Sequence, residues 1–337
     1  MKKIISTLVC LTAVLVLPAT AQVLRVASPG MTVRDMDRSV NFYTRVLGFR
    51  KISDTFLKGK EAEQLEGLFG LHAHIVQLQL GTDTIELTDY LTSGGRSVPE
   101  DARSNDLSFQ HIAIVVSDMD KAFAILAKQG VEFVSTAPQT LPATIPAAAG
   151  IKAFYFHDPD QHNLELIWFP KDKGLNKWHI PSHGKIFLGI DHTAIGVSNT
   201  DRSHEFYASL LGFDRKGDSW NKGTEQEHLN NVEGASLHIT GYRAAAGPGI
   251  EFLQYLQPGP GRAYPADTRA DDIWFWQTTL VVNEAKALFE KLKAAGAHLI
   301  STDLVRQTTN GITTLSFLVR DPDGHALLIR QYIQPNQ

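Results

Sequence analysis

The feature that most constrains this chain is an internal repeat. Asp101-Ala-Arg-Ser-Asn-Asp-Leu-Ser-Phe-Gln-His111 returns as Asp267-Thr-Arg-Ala-Asp-Asp-Ile-Trp-Phe-Trp-Gln277, 166 positions later. Ser28-Pro-Gly-Met-Thr-Val-Arg-Asp-Met-Asp-Arg-Ser-Val-Asn-Phe-Tyr43 aligns with His192-Thr-Ala-Ile-Gly-Val-Ser-Asn-Thr-Asp-Arg-Ser-His-Glu-Phe-Tyr207 at an offset of 164. Val46-Leu-Gly-Phe49 then meets Leu210-Leu-Gly-Phe213, Ile85-Glu86 meets Ile250-Glu251, and Asp158-Pro-Asp-Gln-His162 meets Asp321-Pro-Asp-Gly-His325. A duplicated unit of about 150 residues has the usual size of a folding domain. The chain therefore divides into copies over 22–170 and 187–337, joined across 171–186 by a connector rich in Pro, Gly and Lys.

A weaker periodicity lies inside each copy. His111-Ile-Ala-Ile-Val-Val-Ser-Asp-Met-Asp, in the middle of the first copy, resembles the opening of the second at His192. Each copy is thus a pair of modules, four in all. Each module opens on an apolar strand, followed by a polar cap and a helix. Val40, Tyr43 and Leu47 keep helical spacing after Asp37, and Leu288 and Leu292 keep it after Asn283, with Gly296 as the stop. Runs such as Ala153-Phe-Tyr-Phe156 and Asn163-Leu-Glu-Leu-Ile-Trp168 supply further strands. The expectation is an α+β chain of four βαβββ modules.

The first 21 residues read as an export signal rather than as fold. Lys2 and Lys3 precede an apolar run from Ile4 to Leu17, and Pro18-Ala-Thr-Ala21 offers a small-residue cleavage site. The run is shorter than the roughly 20 residues that span a bilayer, and Cys10 lies too early for a lipoprotein signal. Cleavage would leave a periplasmic or secreted protein with no membrane attachment. It would also leave no cysteine, since Cys10 is the only one, and so no disulfide or thiolate chemistry. Any metal then rests on His, Glu, Asp or Gln. The formal charge of −4 becomes −6 without Lys2 and Lys3, and no basic patch points to nucleic acid. A monomer or homodimer acting on a small molecule is expected.

The paired modules, the Asp-Arg-Ser-x-x-Phe-Tyr-x-x-x-Leu-Gly-Phe helix and the Asp-Pro-Asp-x-His turn resemble the vicinal oxygen chelate superfamily. That group takes in glyoxalase I, extradiol dioxygenases, fosfomycin-resistance enzymes and metal-free bleomycin-binding proteins. The resemblance covers nearly the whole chain after residue 21. It implies two glyoxalase-like domains with cupped mixed sheets, and a divalent ion (Ni, Zn, Fe or Mn) held by residues on the first and last strands of each module. Carried over position by position, the modules offer Ser28 and Glu86, His111 and Glu165, His192 and Glu251, and Gln277 and Leu328. Serine is a poor ligand for such ions and leucine cannot ligate.

Two pairings of modules stay open. Consecutive pairing gives two three-ligand sites, Glu86, His111 and Glu165 in one and His192, Glu251 and Gln277 in the other. Exchanged pairing, found in two-domain glyoxalases that resemble this chain, unites His111, Glu165, His192 and Glu251. It leaves Ser28, Glu86, Gln277 and Leu328 as a degenerate second site. The exchanged form is favoured because both degraded positions then fall together. Glu165 or Glu251 would be the catalytic base. The resemblance implies a metal-dependent lyase or isomerase ahead of an Fe(II) dioxygenase, whose two-His-one-carboxylate set the same residues contain, and ahead of a metal-free binding protein. Export argues against a glutathione conjugate as substrate.

Other residues have structural readings. His162 and His325 belong to Asp-Pro-Asp turns, and Phe42-Tyr43 and Phe206-Tyr207 to the core. Glu225-Gln-Glu-His-Leu-Asn-Asn231, which parallels Glu61-Ala-Glu-Gln-Leu65, reads as a solvated turn, with His228 a lesser acid–base candidate. Ala137 to Gly150 lacks periodicity and is a lid candidate. Trp274-Phe-Trp276 could line a cavity or fill the second core.

Overall fold

The computed structural model describes residues 21–92, 94–309 and 311–334, so the expected signal over 1–21 lies outside it except for Ala21. No helix among the described residues is long and apolar enough to cross a membrane. Module one comprises β1 (Val23–Thr32), α1 (Met36–Arg45), β2 (Arg50–Lys58), α2 (Lys60–Glu66), β3 (His72–Leu80) and β4 (Asp83–Tyr90). Module two comprises β5 (Gln110–Val116), α3 (Met119–Lys128), β6 (Gln139–Thr140), β7 (Lys152–His157) and β8 (Asn163–Trp168). Module three comprises β9 (Phe187–Gly196), α4 (Thr200–His204), β10 (Asp214–Lys222), α5 (Thr224–Asn230), β11 (Ser236–Arg243) and β12 (Gly249–Gln257). Module four comprises β13 (Trp276–Val282), α6 (Ala285–Ala294), β14 (His298–Leu299), β15 (Val305–Thr309), β16 (Ile312–Arg320) and β17 (Ala326–Ile333). The βαβββ plan holds, with a short extra helix in modules one and three and an extra short strand in module four.

Three of the four module helices start where a side chain can receive the free N–H groups of a first turn, and in α6 Gln331 Oε1 accepts from Ala285 N instead. Asp35 accepts from Arg38 N at 2.9 Å, Asp118 from Lys121 N at 3.0 Å and Asn199 from Arg202 N at 2.8 Å. Along α1, Met36, Ser39, Phe42 and Tyr43 then fall on the buried face. Gly48, with φ +73°, lets the chain leave.

The modules pair in exchange. One sheet runs β10-β11-β12-β9-β5-β8-β7-β6 and joins modules two and three; the other runs β14-β16-β17-β13-β1-β4-β3-β2 and joins modules one and four. We call these the inner and outer cups. In each module the first and last strands are parallel, and two modules meet through antiparallel first strands, β5 with β9 and β1 with β13.

The two largest cores follow the sequence copies instead. Modules one and two share a cluster containing Met36, Tyr43, Ile85, Met119, Leu126 and Phe154. Modules three and four share another around Tyr207, Phe252, Leu288, Phe289 and Phe317. Each copy thus closes its core around its own helices while giving its two half-sheets to different cups.

Exchange requires the connector from β4 to β5 and the connector from β12 to β13 to pass from one cup to the other, and they grip each other where they meet. Arg96 donates from Nε to Asp272 Oδ1 at 3.0 Å, from an Nη to Asp272 Oδ2 at 2.7 Å and from the other to Asp267 at 2.9 Å. The copy-related Arg262 donates to Asp106 Oδ2 at 3.2 and 2.8 Å and to Asp101 at 2.7 Å. Leu107 N bonds Arg262 O at 2.8 Å and Ile273 N bonds Arg96 O at 2.9 Å. The approach is close enough that a Cβ on Gly95 would lie 1.6 Å from Asp271 O.

Candidate metal centre

The inner cup brings four of the expected residues together. His111 lies in β5, Glu165 in β8, His192 in β9 and Glu251 in β12, four strands that are neighbours in the sheet order. Strand alternation turns their side chains to the concave face. Between them Ala113 pairs with both Glu165 and His192, and Ala194 with both His111 and Glu251, so small residues leave space among the large ones.

Nε2 of His111 lies 3.5 Å from Nε2 of His192 and 3.1 Å from Oε2 of Glu165. Nε2 of His192 lies 3.5 Å from the same Glu165 oxygen and 3.4 Å from Oε2 of Glu251. Donors roughly 2.1 Å from a common ion stand about 3.0 Å apart when cis in an octahedron and about 3.4 Å apart at tetrahedral corners. His111, Glu165 and His192 therefore fit one divalent cation in both chemistry and spacing, and Glu251 adjoins them through His192. Among the described residues, the one group of three His, Cys, Asp or Glu donors within 4.8 Å of one another is His111, Glu165 and His192.

The electrostatics agree with mutual attraction at this point. Burial pushes the Glu165 carboxyl up, but the neighbouring His111 and His192 outweigh it and bring it down to about 2. Burial lowers His192, yet Glu251, Asp191 and Glu165 hold it well above the usual imidazole range. A cation would take the place of that proton. The side chains of His111, Glu165 and His192 are at most 6% exposed, whereas that of Glu251 is 32% exposed. Glu251 also lines a cavity of about 400 Å³ together with His192, Lys216, Ala147, Phe169 and Leu175.

The cavity walls draw on two segments whose roles the sequence left open. Ala147 belongs to the aperiodic stretch 137–150, which packs as a small cluster of Leu141, Ile145 and Ala148, and Leu175 belongs to the connector. The polar stretch at 225–231 is not a solvated turn: it is α5, with Gln226, Leu229 and Asn230 buried and His228 exposed. Asn221 donates to Gln226 at 2.8 Å, and Gln226 to Asn230, forming a buried amide chain. Hydrophobic periodicity did not show this helix because two of its three inward residues are amides.

The outer cup repeats the register and not the chemistry. Gly30 pairs with Gln277 and Glu86, and Thr279 with Ser28 and Leu328, the equivalents of the inner-cup pairs. Leu328, Leu65, Leu318, Phe275 and Tyr90 fill its interior. Glu86 accepts from Gln77 Nε2 at 3.0 Å, and Gln277 Oε1 is buried without a hydrogen bond. Glu66, in the α2 position equivalent to Asn230, is pushed from 4.5 up to about 7 by burial and by Glu86, against Arg330 and Gln277. The folded state therefore keeps this proton where the unfolded chain releases it. Stability should be highest below about pH 4.5 on this account and should fall by about 3 kcal/mol as pH rises to about 7. Glu66→Gln is expected to flatten that fall and to be the more stable protein at pH 8, as read from urea unfolding at pH 5 and pH 8.

The remaining candidates are structural. Nδ1 of His162 lies 2.8 Å from Asp158 Oδ2 and its Nε2 2.8 Å from Ile273 O, while Nε2 of His325 lies 2.8 Å from Gly196 O. Tyr43 and Tyr207 are core residues whose hydroxyls donate to Asp158 and Asp321. Of the aromatic cluster, Phe275 sits in the outer-cup core, and Trp274 and Trp276 border a separate cleft of about 440 Å³ beside the connectors.

Residues 23–166 and 189–329 match the family model of the glyoxalase/bleomycin resistance protein/dioxygenase superfamily. The chain belongs to that superfamily. It is 28% identical over 200 residues to glyoxalase I of Saccharomyces cerevisiae, which is 54% of this chain and 55% of the yeast protein, about half of its length. It is 32% identical over 145 residues to a 2-epi-5-epi-valiolone epimerase from Actinomyces sp, covering 41% of this chain and 76% of the epimerase. The solved structure of glyoxalase I from Zea mays superposes with a TM-score of 0.57 at 17% identity, covering 93% of this chain and 92% of the maize protein. At that identity the likeness concerns the fold alone. The superfamily's two glyoxalase-like domains are both present, as an α+β chain with curled mixed sheets.

Proposed function

We propose that this protein is a divalent-metal-dependent lyase or isomerase of glyoxalase type, acting on a small substrate through two adjacent oxygens. The observation that carries the reading is the convergence of His111, Glu165 and His192, with donor atoms 3.1 to 3.5 Å apart, and of Glu251 at 3.4 Å from His192, from four neighbouring strands. A cation held there would supply Lewis acidity to a substrate oxyanion. Glu165, buried between both imidazoles, stays in place. Glu251 borders the cavity and touches one histidine, so it is the carboxylate free to take a proton at Oε2 from the carbon beside the substrate carbonyl and to return it to the neighbouring carbon. Ala147, Phe169 and Leu175 give the cavity an apolar wall beside Glu251. We propose further that the leader over 1–21 exports the protein, which favours a sugar-derived or aromatic substrate over a glutathione conjugate.

The test is solvent-deuterium incorporation into an α-hydroxyketone such as dihydroxyacetone. Metal-loaded protein is expected to catalyse exchange, and EDTA or Glu251→Gln should remove it. Exchange that persists without metal would refute the mechanism. The His111, Glu165 and His192 group also has the composition of a two-His-one-carboxylate Fe(II) site. Under that second reading, Fe(II) protein consumes oxygen with a catechol and shows no deuterium exchange.

A further inference from the structure

His192 has a partner that strand alternation should deny it. Asp191 is its neighbour on β9, and successive residues of a regular strand face opposite sides. Yet Asp191 Oδ2 lies 3.1 Å from Nδ1 of His192. The cause is a β-bulge: in the β5–β9 register Ala113 pairs with His192 and Ile114 with Ile190, leaving Asp191 unopposed. A bulge re-aims the extra residue. The outer cup carries the same irregularity on β1, where Val26 pairs with Leu280 and Ser28 with Thr279, so the bulged residue there is Ala27. The bulge occurs in both cups, and the carboxylate only beside the histidine.

Asp191 is itself held from two sides. One Nη of Arg243, on β11, lies 3.0 Å from each carboxylate oxygen. The indole N–H of Trp178, in a single helical turn of the connector (Asn176–His179), donates to Oδ1 at 2.8 Å. The carboxylate is 5% exposed, and although burial alone would raise it, His192, Arg243 and Trp178 hold it far below the ordinary range. By contrast Nδ1 of His111 is buried with no hydrogen-bond partner.

We propose that Asp191 is a positioning residue: the bulge on β9 turns it toward His192, where it keeps the ring proton on Nδ1 and the Nε2 lone pair aimed at the donor cluster, and the connector takes part through Trp178. Outer-sphere carboxylates of this kind orient a ligating imidazole and fix its tautomer. The inference rests on the metal-centre reading for its purpose, though not for its geometry. The connector is accordingly part of the site as well as a link between copies.

The experiment compares wild type, Asp191→Asn and Trp178→Phe. The His192 tautomer is read by ¹⁵N NMR of the metal-free proteins at a pH above the raised His192 titration, where the ring is neutral, and Zn(II) affinity by competition with a chromophoric chelator. In Asp191→Asn the oxygen is retained by Arg243 and Trp178, so the amide N–H faces Nδ1 and drives the ring proton to Nε2. Zn(II) affinity should fall by about 10- to 100-fold. Trp178→Phe should weaken Zn(II) several-fold and leave the tautomer unchanged, and it supplies the test if Asp191→Asn does not fold. Wild-type tautomer and affinity in Asp191→Asn, or wild-type affinity in Trp178→Phe where that variant alone folds, would overturn the proposal. A tautomer flip in a protein whose wild type binds no Zn(II) would uphold the positioning and refute the metal function.

Discussion

Replacing His192 by alanine is expected to empty the inner cup of metal, taking the purified protein from one divalent ion per chain to nearly none. His111→Ala should do the same, because both imidazoles meet the one Glu165 oxygen, at 3.5 and 3.1 Å. Lewis-acid stabilisation of an oxyanion is worth several kcal/mol. At 1.36 kcal/mol per decade, a loss of about 4 kcal/mol lowers kcat/KM about a thousandfold. The controls lie in the outer cup. Gln277→Ala and Glu86→Gln occupy the equivalent positions, but the interior there is filled by Leu328, Leu65 and Phe275. Metal content and kcat/KM should not change in either. Metal analysis by plasma emission on the four variants decides the matter, and a drop of half an ion on Gln277→Ala would mean that the centre is not single.

The second large effect concerns stability. The carboxylates of Asp272 and Asp106 are 2% and 6% exposed, and each is held by one arginine from the opposite connector. Removing the arginine leaves a buried charge, which typically costs about 3–5 kcal/mol. Here each guanidinium is about half exposed and the aspartates keep backbone donors, so about 2–3 kcal/mol each is expected for Arg96→Ala and Arg262→Ala. Together they should lower Tm by roughly 10 °C for a chain of this size. Lysine should restore little, since each guanidinium makes two hydrogen bonds to the buried aspartate and a third to its exposed neighbour in one planar fork that an ammonium cannot reproduce. Urea unfolding of the double variant within 0.5 kcal/mol of wild type would show that the grip is ornamental.

That clamp illustrates what was legible. The repeat of 101–111 at 267–277 contains Asp101, Asp106, Asp267 and Asp272. The repeat was plain, but its partners were not, because Arg96 and Arg262 lie more than 150 residues from the groups they hold. The helix α5 was read as a turn because Gln226 and Asn230 occupy inward positions that hydrophobicity would ordinarily mark. Asp191 passed unnoticed because alternation assigns it to the face opposite His192, and a bulge cannot be read from one strand alone.

By itself the sequence determined that there are four modules and where the helices of the first and the last begin, to within two residues. Those follow from local spacing and from comparing one copy with the other, while the eight facing positions are what the superfamily resemblance implies. Which modules share a cup, and so whether His111 and Glu165 ever meet His192 and Glu251, was settled by the tertiary structure. Every module presents the same first-strand edge, and local pattern cannot choose among identical edges. The crossing connectors and the shared cores choose, through contacts between residues far apart in the chain.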